Sequence, residues 1–402
     1  MLGVLYITYD GILEPLGQSQ VLSYLEKLSE NRTIYLISFE KQKDKKDSYV
    51  YSQISKRINE SNIIWYPLTY HKKFTALATL WDVLRGIILS FWLVMRHKLE
   101  IVHARSYVPS IMALMLKRIL NVYFIFDMRG FWADERIDGD IWKKNSRLYR
   151  ISKYFEKKFL LNADVVVSLT KKAVEEMKKF EYLQGRVPNI KVITTCTNLE
   201  LFKPASNVRI YNKQKKVLTI GYVGSVGVWY LFEEALDYFK LIQEVVPNAR
   251  LHIVNKGSHD YIYEYLDNAG ISKESYIVEE SDHVGVVKAM QSMDAGIFII
   301  KPLYSKISSM PTKLGEFLAC GVPCICNSGV GDVDEIINNK NIGIVLNSFD
   351  RDKKRESIDS LLKLISNPQT KRRCREVASQ YFSLEGGINA YNDIYHSLDI
   401  KS

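Results

Sequence analysis

One pattern occurs twice in this chain of 402 residues: a short apolar run, a loop that contains glycine, and a helix. The first copy has its apolar run at residues 3–8, its loop at 9–20 and its helix at 21–29. The second copy has its apolar run at 217–223 and its helix at 229–246. A strand, a glycine-bearing turn and a helix open a parallel sheet that is covered by helices on both faces. The sequence therefore predicts two α/β domains.

A second constraint comes from residues 301–327, which predict a loop, a helix at 312–319, a turn and a buried strand. Lys313 and Glu316 are three residues apart, so they lie on the same side of that helix. Free N–H groups and the helix dipole favour a phosphate at a helix N-terminus. Lys313 would add a positive charge there, and Glu316 could accept hydrogen bonds from a ribose diol. The alternative is a surface ion pair worth a few tenths of a kcal/mol.

The segment MPTKLGEFLACGVP, residues 310–323, resembles the donor-binding segment of retaining glycosyltransferases with the GT-B fold, of the family 4 type. The resemblance implies that Thr312 and Lys313 bind a nucleotide-sugar and that Glu316 binds its ribose. Glu316 matches the second of two family glutamates that lie eight residues apart. Ser308 stands where the first glutamate would be, so the group that contacts the transferred sugar is left open.

The two glycine-bearing loops supply further donor-binding candidates. Gly17 is the candidate for close approach of the backbone to a ligand, and a plain turn is the alternative. The backbone N–H groups of the loop at Gly224 and Ser225 could hold a diphosphate. Many family 4 enzymes carry an Arg and a Lys in this loop, whereas residues 224–238 contain neither. The cation is therefore expected from one of three residues: Lys301, Lys313 or Arg129.

Charged side chains follow two predicted strands of the first half. Residues 101–104 lead into Arg105, which could hold a phosphate or a carboxylate, and residues 122–126 lead into Asp127 and Arg129. The segment 127–136 resembles a motif of bacterial polysaccharide transferases. In a related family segment, His103 matches the first His of a His-x-His pair and Arg105 replaces the second. The residues predicted to act in catalysis are thus Asp127, Arg129, Arg105 and His103, with an internal salt-bridge network as the alternative.

The positive charge of the chain is confined to its first half. Residues 1–200 contain 31 Lys and Arg against 21 Asp and Glu, which gives 31 − 21 = +10, and residues 201–402 contain 24 of each. A basic half favours an anionic partner, such as a membrane surface, nucleic acid or an acidic substrate, although it could serve solubility alone. No nucleic-acid reader motif is evident, so an anionic membrane surface is the predicted partner.

Residues 74–98 predict a long helix with basic residues at both ends, at 71–73 and 96–98. Its apolar run at 86–95 is shorter than the roughly twenty residues that a membrane span needs. We therefore expect a helix of the protein core, whose basic flanks could still contact lipid. Its predicted core positions are Leu77, Leu80, Trp81, Leu84, Ile88 and Phe91.

The resemblance extends over nearly the whole chain and implies an α/β GT-B fold, in which two Rossmann-like domains face each other across a cleft. The predicted domains are 1–200 on the acceptor side and 201–402 on the nucleotide-sugar side, joined by a linker at 198–216. The last helix, near 387–398, is expected to pack back on the first domain.

The implied function is a retaining, hexosyltransferase-like and metal-independent glycosyltransferase of cell-surface polysaccharide or glycan assembly. It would use a nucleotide-sugar donor and a saccharide or lipid-linked acceptor, without a cofactor. Five cysteines without zinc spacing and a start without a basic leader favour a cytoplasmic protein, peripheral at the inner face of the membrane. The alternatives are a nucleotide-sugar epimerase of the same fold and a noncatalytic polyanion-binding protein.

Overall fold

The computed structural model describes residues 3–71, 75–206, 211–212 and 217–400. The chain divides into unit 1, Met1–Thr194 with Glu385–Ser402, and unit 2, Thr195–Leu384. Within the predicted linker, residues 207–210 and 213–216 lie outside the described residues, as do Lys72 and Lys73 beside the predicted long helix.

Unit 1 is built on a parallel sheet of seven strands in the order β3-β2-β1-β4-β5-β6-β7. The strands are short and apolar because helices cover both faces of the sheet. Leu5, Ile7, Phe124 and Phe126 are fully buried in its core. The strands are β1 (Val4–Thr8), β2 (Ile34–Glu40), β3 (Ile63–Thr69), β4 (Ile101–Arg105), β5 (Tyr123–Asp127), β6 (Val165–Ser168) and β7 (Ile190–Val192).

Nine helices between the strands accompany this sheet in the described part of unit 1. They are α1 (Pro15–Gly17), α2 (Ser23–Leu28), α3 (Gln42–Lys46), α4 (Ser48–Asn59), α5 (Thr75–His97), α6 (Tyr107–Leu120), α7 (Trp132–Asp138), α8 (Arg147–Asn162) and α9 (Lys171–Lys178). A π-helical turn, Gln18–Leu22, joins α1 to α2, and a 3₁₀ turn, Glu181–Leu183, follows α9.

The first helix begins earlier than the sequence predicts. Residues 15–28 are helical throughout, so much of the expected loop at 9–20 is helix. Gly17 lies inside this helix with a φ of −63°, and a Cβ atom there would lie 2.0 Å from the carbonyl oxygen of Gly11. The close approach at Gly17 is therefore made by the backbone of the chain itself.

The prediction of the core face of α5 is wrong. Leu77, Leu80, Trp81, Leu84, Ile88 and Phe91 are all exposed, and Leu77 and Ile88 have exposed fractions of 69% and 71%. The buried face carries Ala78, Val83, Leu93 and Val94 instead. Both stripes have helical spacing, so periodicity alone could not tell which one faces the sheet. We call the exposed stripe Leu77, Leu80, Trp81, Leu84, Ile88, Phe91, Trp92 and Met95 the α5 stripe.

Residues 76–97 of α5 are long and apolar enough to cross a membrane, and no other helix in the described residues has both properties. Helices of a soluble core can pass the same test, and 39% of the most apolar window is buried inside the protein.

Unit 2 contains a second parallel sheet, of six strands in the order β10-β9-β8-β11-β12-β13. Its core is centred on fully buried side chains such as Ile220, Phe239, Ile253 and Ile297. The strands are β8 (Thr219–Val223), β9 (Arg250–Val254), β10 (Tyr276–Glu279), β11 (Ala295–Ile297), β12 (Cys324–Asn327) and β13 (Gly343–Leu346).

The remaining helices are α10 (Phe232–Val245), α11 (His259–Asn268), α12 (His283–Ser292), α13 (Thr312–Ala319), α14 (Val333–Lys340), α15 (Arg351–Ser366), α16 (Pro368–Phe382) and α17 (Leu384–Asp399), with 3₁₀ turns at Lys273–Ser275 and Tyr304–Ser308. The bounds predicted for α13 are confirmed. Gly321, just after it, has a φ of +76°, which is the left-handed conformation that ends helices.

Candidate functional site

In unit 2, the site forms around the turn that follows β8. Gly224 has a φ of +101°, a conformation that side chains disfavour. Its N–H donates to the carbonyl of Val254 at 2.9 Å, and its own carbonyl accepts from the Asn255 amide at 2.9 Å. Ser225 is exposed, and its carbonyl accepts from the Tyr222 hydroxyl at 2.9 Å. These bonds hold the turn open at the carboxyl end of the strand, where α/β sheets bind ligands.

Lys313, in the first turn of α13, points at this turn. Its side chain is buried, with an exposed fraction of 6%, and its Nζ has no hydrogen-bond partner within the described residues. A Cβ atom on Gly224 would lie 3.1 Å from that Nζ. The ammonium lies 4.0 Å from the centre of the Tyr230 ring. Lys313 thus supplies the positive charge that the sequence of the loop lacks.

Glu316 lies one turn further along α13 and is half-buried. Burial raises the pKa of its carboxyl from 4.5 to about 7, although the Lys313 charge acts in the opposite direction. Glu316 can therefore exchange a proton near neutral pH.

The other predicted donor residues of unit 2 lie on neighbouring segments. Thr312 is the first residue of α13 and is half-buried. The backbone N–H of Lys301 donates to the carbonyl of Trp229 at 2.9 Å, which brings the end of the β11 region beside the glycine turn. Ser308 is buried, and its hydroxyl donates to the Ser305 carbonyl at 2.7 Å.

Two aromatic residues of this site were missed in the sequence. Trp229 and Tyr230 follow the glycine turn directly. The Lys306 ammonium lies 3.8 Å from the centre of the Trp229 ring, and the Lys313 ammonium lies 4.0 Å from the centre of the Tyr230 ring. Cation–π contacts of this kind hold lysine side chains in place without neutralising their charge. The signal was available: two adjacent aromatic residues follow a glycine loop that has no cation of its own.

The four residues predicted to be catalytic come together in unit 1, at the ends of β4 and β5. The carboxylate of Asp127 lies 3.7 Å from Arg105, 3.9 Å from Arg129 and 3.7 Å from the Nε2 atom of His103. Arg129 adopts a left-handed φ of +58°, and such strain in a non-glycine residue is often found at functional sites.

Helix α17 covers part of this group. The Tyr391 hydroxyl donates to Asp127 at 3.1 Å, and the Tyr395 hydroxyl lies 2.7 Å from the Nδ1 atom of His103. Burial alone would raise the pKa of Asp127, but Arg129, His103 and Arg105 outweigh it and lower the pKa. Burial lowers the pKa of His103 more than Asp127 raises it. The group therefore combines an ionised carboxylate with a neutral imidazole, and its catalytic role stays a prediction.

Gly17, the predicted donor residue of unit 1, is buried. Arg105 reaches further outward than His103 or Asp127, because its Nε contacts Asp10 at 3.4 Å and its side chain also lines a large cavity. In the described part of the chain, no three His, Cys, Asp or Glu side chains are grouped in a way that would hold a metal ion.

The part of unit 2 that holds this site is similar to a known protein family. Residues 205–381 match the family model described as glycosyl transferases group 1, a range that contains the Gly224 turn and the whole of α13. No curated protein matches the chain.

Solved structures resemble the chain over its full length. Sucrose-phosphate synthase from Thermosynechococcus elongatus is 14% identical, with 100% of both chains covered and a TM-score of 0.71. A glycosyltransferase from Rickettsia africae is 15% identical, with 100% of this chain and 99% of that chain covered and a TM-score of 0.71. HepE from Anabaena, solved in complex with UDP-glucose, is 12% identical, with 99% and 100% covered and a TM-score of 0.69.

At these identities the structures establish the fold. The two parallel sheets and these similarities confirm the predicted two-domain arrangement of Rossmann-like sheets. The chain therefore has the GT-B fold, and its residues 205–381 are similar to the glycosyl transferases group 1.

Proposed function

We propose that this protein is a retaining glycosyltransferase that moves a hexose, without a metal ion, from a nucleotide-diphosphate-sugar to a saccharide or lipid-linked acceptor. The observation that carries the proposal is the buried ammonium of Lys313, which has no hydrogen-bond partner in the described residues and lies against the glycine turn of unit 2. A buried, unneutralised cation is costly unless an anion binds beside it. A sugar-nucleotide diphosphate provides such an anion.

In this proposal the protein stabilises the charge that develops on the departing diphosphate. Lys313 and the N–H group of Ser225 would be fixed before the reaction, so they need little reorganisation. The N–H of Gly224 is already bonded to the Val254 carbonyl and shapes the turn instead. Glu316 would accept hydrogen bonds from the ribose diol in its ionised form. Retention of configuration and the role in polysaccharide assembly rest on the resemblance of residues 310–323 and 127–136.

We also propose that Asp127, Arg129, Arg105 and His103 serve the transfer as one charged group. Asp127 would orient the two arginines, and His103 would support Asp127. The distances of 3.7 to 3.9 Å between these side chains and the lowered pKa of Asp127 support this assignment.

We further propose that the protein is cytoplasmic and binds the inner face of the membrane through unit 1. The α5 stripe offers exposed leucine, isoleucine and aromatic side chains. Basic side chains are exposed nearby: Arg96 lies on α5, Lys98 lies just beyond its end, and Arg118 lies on α6, which packs against α5. Apolar side chains beside basic ones suit the interface of an anionic bilayer.

Cosedimentation with vesicles of phosphatidylglycerol should fall at least about fivefold in Ile88→Glu, since one charge opposes insertion. Equal cosedimentation would refute this surface.

The donor proposal is tested by thermal stability against UDP, GDP, dTDP, CDP and ADP, with EDTA present. A nucleotide at about a hundred times its dissociation constant should add roughly 2.7 kcal/mol to the stability of the folded protein. UDP is tested first, because HepE was solved with UDP-glucose. Lys313→Met and Glu316→Ala should lose most of the shift, whereas Lys288→Met, the same change at an exposed lysine of unit 2, should keep it.

No shift with any nucleotide in the wild-type protein would contradict the donor site. A shift that is equal in wild type, Lys313→Met and Glu316→Ala would contradict the assignment of these residues. Conversion of a nucleotide-sugar without an acceptor would instead identify an epimerase.

A further inference from the structure

A second feature of unit 1 is a cavity of about 830 Å³ on the side of the sheet that carries α5, α6 and α8. Volumes of this size hold small-molecule ligands in other proteins. Its walls are mainly apolar and aromatic, and include Phe39, Ile111, Trp132, Ile151, Phe155 and Phe159.

Charged side chains of both signs line part of the cavity. Arg105 and Lys41 are each paired with an acidic side chain that also lines it: Arg105 lies 3.4 Å from Asp10 and Lys41 lies 2.5 Å from Glu14. Arg136 also lines the cavity, and among the described residues no ion pair to it is found. Its guanidinium lies 5.1 Å from the centre of the Trp132 ring. Arg136 therefore remains available to an anion.

The apolar walls continue to the protein surface. Ile141, Leu148 and Ile151 line the cavity and are exposed as well. On the opposite side, Ala76 and Thr79 of α5 line it, and the α5 stripe starts at Leu77 beside them. An apolar chain could thus pass from the surface into the cavity without crossing a polar barrier.

We propose that this cavity binds the apolar chain of a lipid-phosphate acceptor, with the phosphate at Arg136. The inference rests on the proposed transferase function and names its acceptor class: a lipid that carries the sugar to be extended on a phosphate or diphosphate. The occupant combines a long apolar chain with an anion, which matches the apolar walls and the guanidinium of Arg136 that lines the cavity.

The test uses alkyl phosphates at concentrations below those at which they form micelles. Binding is followed by the fluorescence of Trp132 and Trp142, which both line the cavity. Decyl phosphate should bind roughly fifteenfold more tightly than octyl phosphate, because two more methylene groups are buried at about fourfold each. Decanol and inorganic phosphate should each bind at least about tenfold more weakly than decyl phosphate, because each lacks one half of the ligand.

Matched variants separate the cavity from the rest of the surface. Ile151→Glu places a charge in the cavity wall and should weaken binding of decyl phosphate at least about tenfold. Ile277→Glu makes the same change at an exposed isoleucine of unit 2 and should have no effect. Arg136→Gln should weaken binding of decyl phosphate about tenfold and leave decanol unchanged. Arg250→Gln, at an exposed arginine of unit 2, should change neither.

Equal affinities for octyl and decyl phosphate, or an unchanged affinity in Ile151→Glu, would overturn the inference. Thermal stabilisation by a nucleotide is measured in the same preparations. A nucleotide shift without decyl phosphate binding refutes the lipid site alone, whereas decyl phosphate binding without any nucleotide shift refutes the donor site and leaves the cavity as a lipid site.

Discussion

Replacing Glu316 by Gln should stabilise the protein at neutral and alkaline pH. The folded protein raises the pKa of this carboxyl from 4.5 to about 7, so it favours the protonated form. The stability that Glu316 contributes is complete below its unfolded pKa of 4.5 and is lost as the pH rises through 7. With about 1.4 kcal/mol for each pKa unit, the difference between 4.5 and about 7 corresponds to roughly 3 kcal/mol.

Gln is neutral at every pH and has nearly the same shape, so Glu316→Gln removes this loss. The gain in the free energy of unfolding should be small at pH 4.5 and should reach about 3 kcal/mol at pH 8. Urea unfolding followed by far-UV circular dichroism at several pH values measures it. Glu264→Gln, the same change at an exposed glutamate of unit 2, controls for the loss of a surface charge.

An equal difference between wild type and Glu316→Gln at pH 4.5 and pH 8 would refute the reasoning, because Glu316 would then ionise as easily in the folded chain as in the unfolded one. The same variant should lose nucleotide affinity, since an amide cannot replace an ionised carboxylate as the acceptor for a diol. A variant that becomes more stable and binds less well would indicate that this position is kept acidic for function.

Two further changes test packing in unit 1. Gly17→Ala should lower the free energy of unfolding by at least about 3 kcal/mol, which is the upper range for overpacking. The new Cβ would meet the backbone oxygen of Gly11, which cannot move aside as a side chain could. A thermal midpoint equal to that of wild type would contradict this. Asp82→Asn should lower the free energy of unfolding, measured in urea, by about 2–3 kcal/mol. The fully buried carboxylate accepts hydrogen bonds from the Tyr9 hydroxyl at 2.9 Å and from the His71 backbone N–H at 3.1 Å. An unchanged urea midpoint would show that these bonds are dispensable.

Much of the fold could be predicted because local patterns determine it. Short apolar runs marked the strands of both sheets, and a helix flanked by Pro311 and Gly321 was predicted with its observed bounds. The α5 stripe shows where this reasoning fails. Two apolar stripes on one helix satisfy the same periodicity, and only the tertiary packing decides which one is buried.

The candidate site was predictable where its residues lie at strand ends or helix starts, as Arg105 and Lys313 do. Their partners were not, because they are distant in sequence. Asp127 contacts Tyr391, 264 residues further along the chain, and no local sequence pattern predicts that pair. The burial of Glu316 likewise depends on how α13 packs, which spacing along one helix does not reveal.

Helix α17 has a consequence for how the protein is made. The whole of unit 2 is synthesised between the first 194 residues of unit 1 and the helix that completes it. At about 5–20 residues per second, those intervening residues take roughly 10–40 s to emerge from the ribosome. Until then His103 and Asp127 lack Tyr395 and Tyr391. The nascent first unit therefore has an unfinished surface for about the second half of translation, until the C-terminal helix is synthesised.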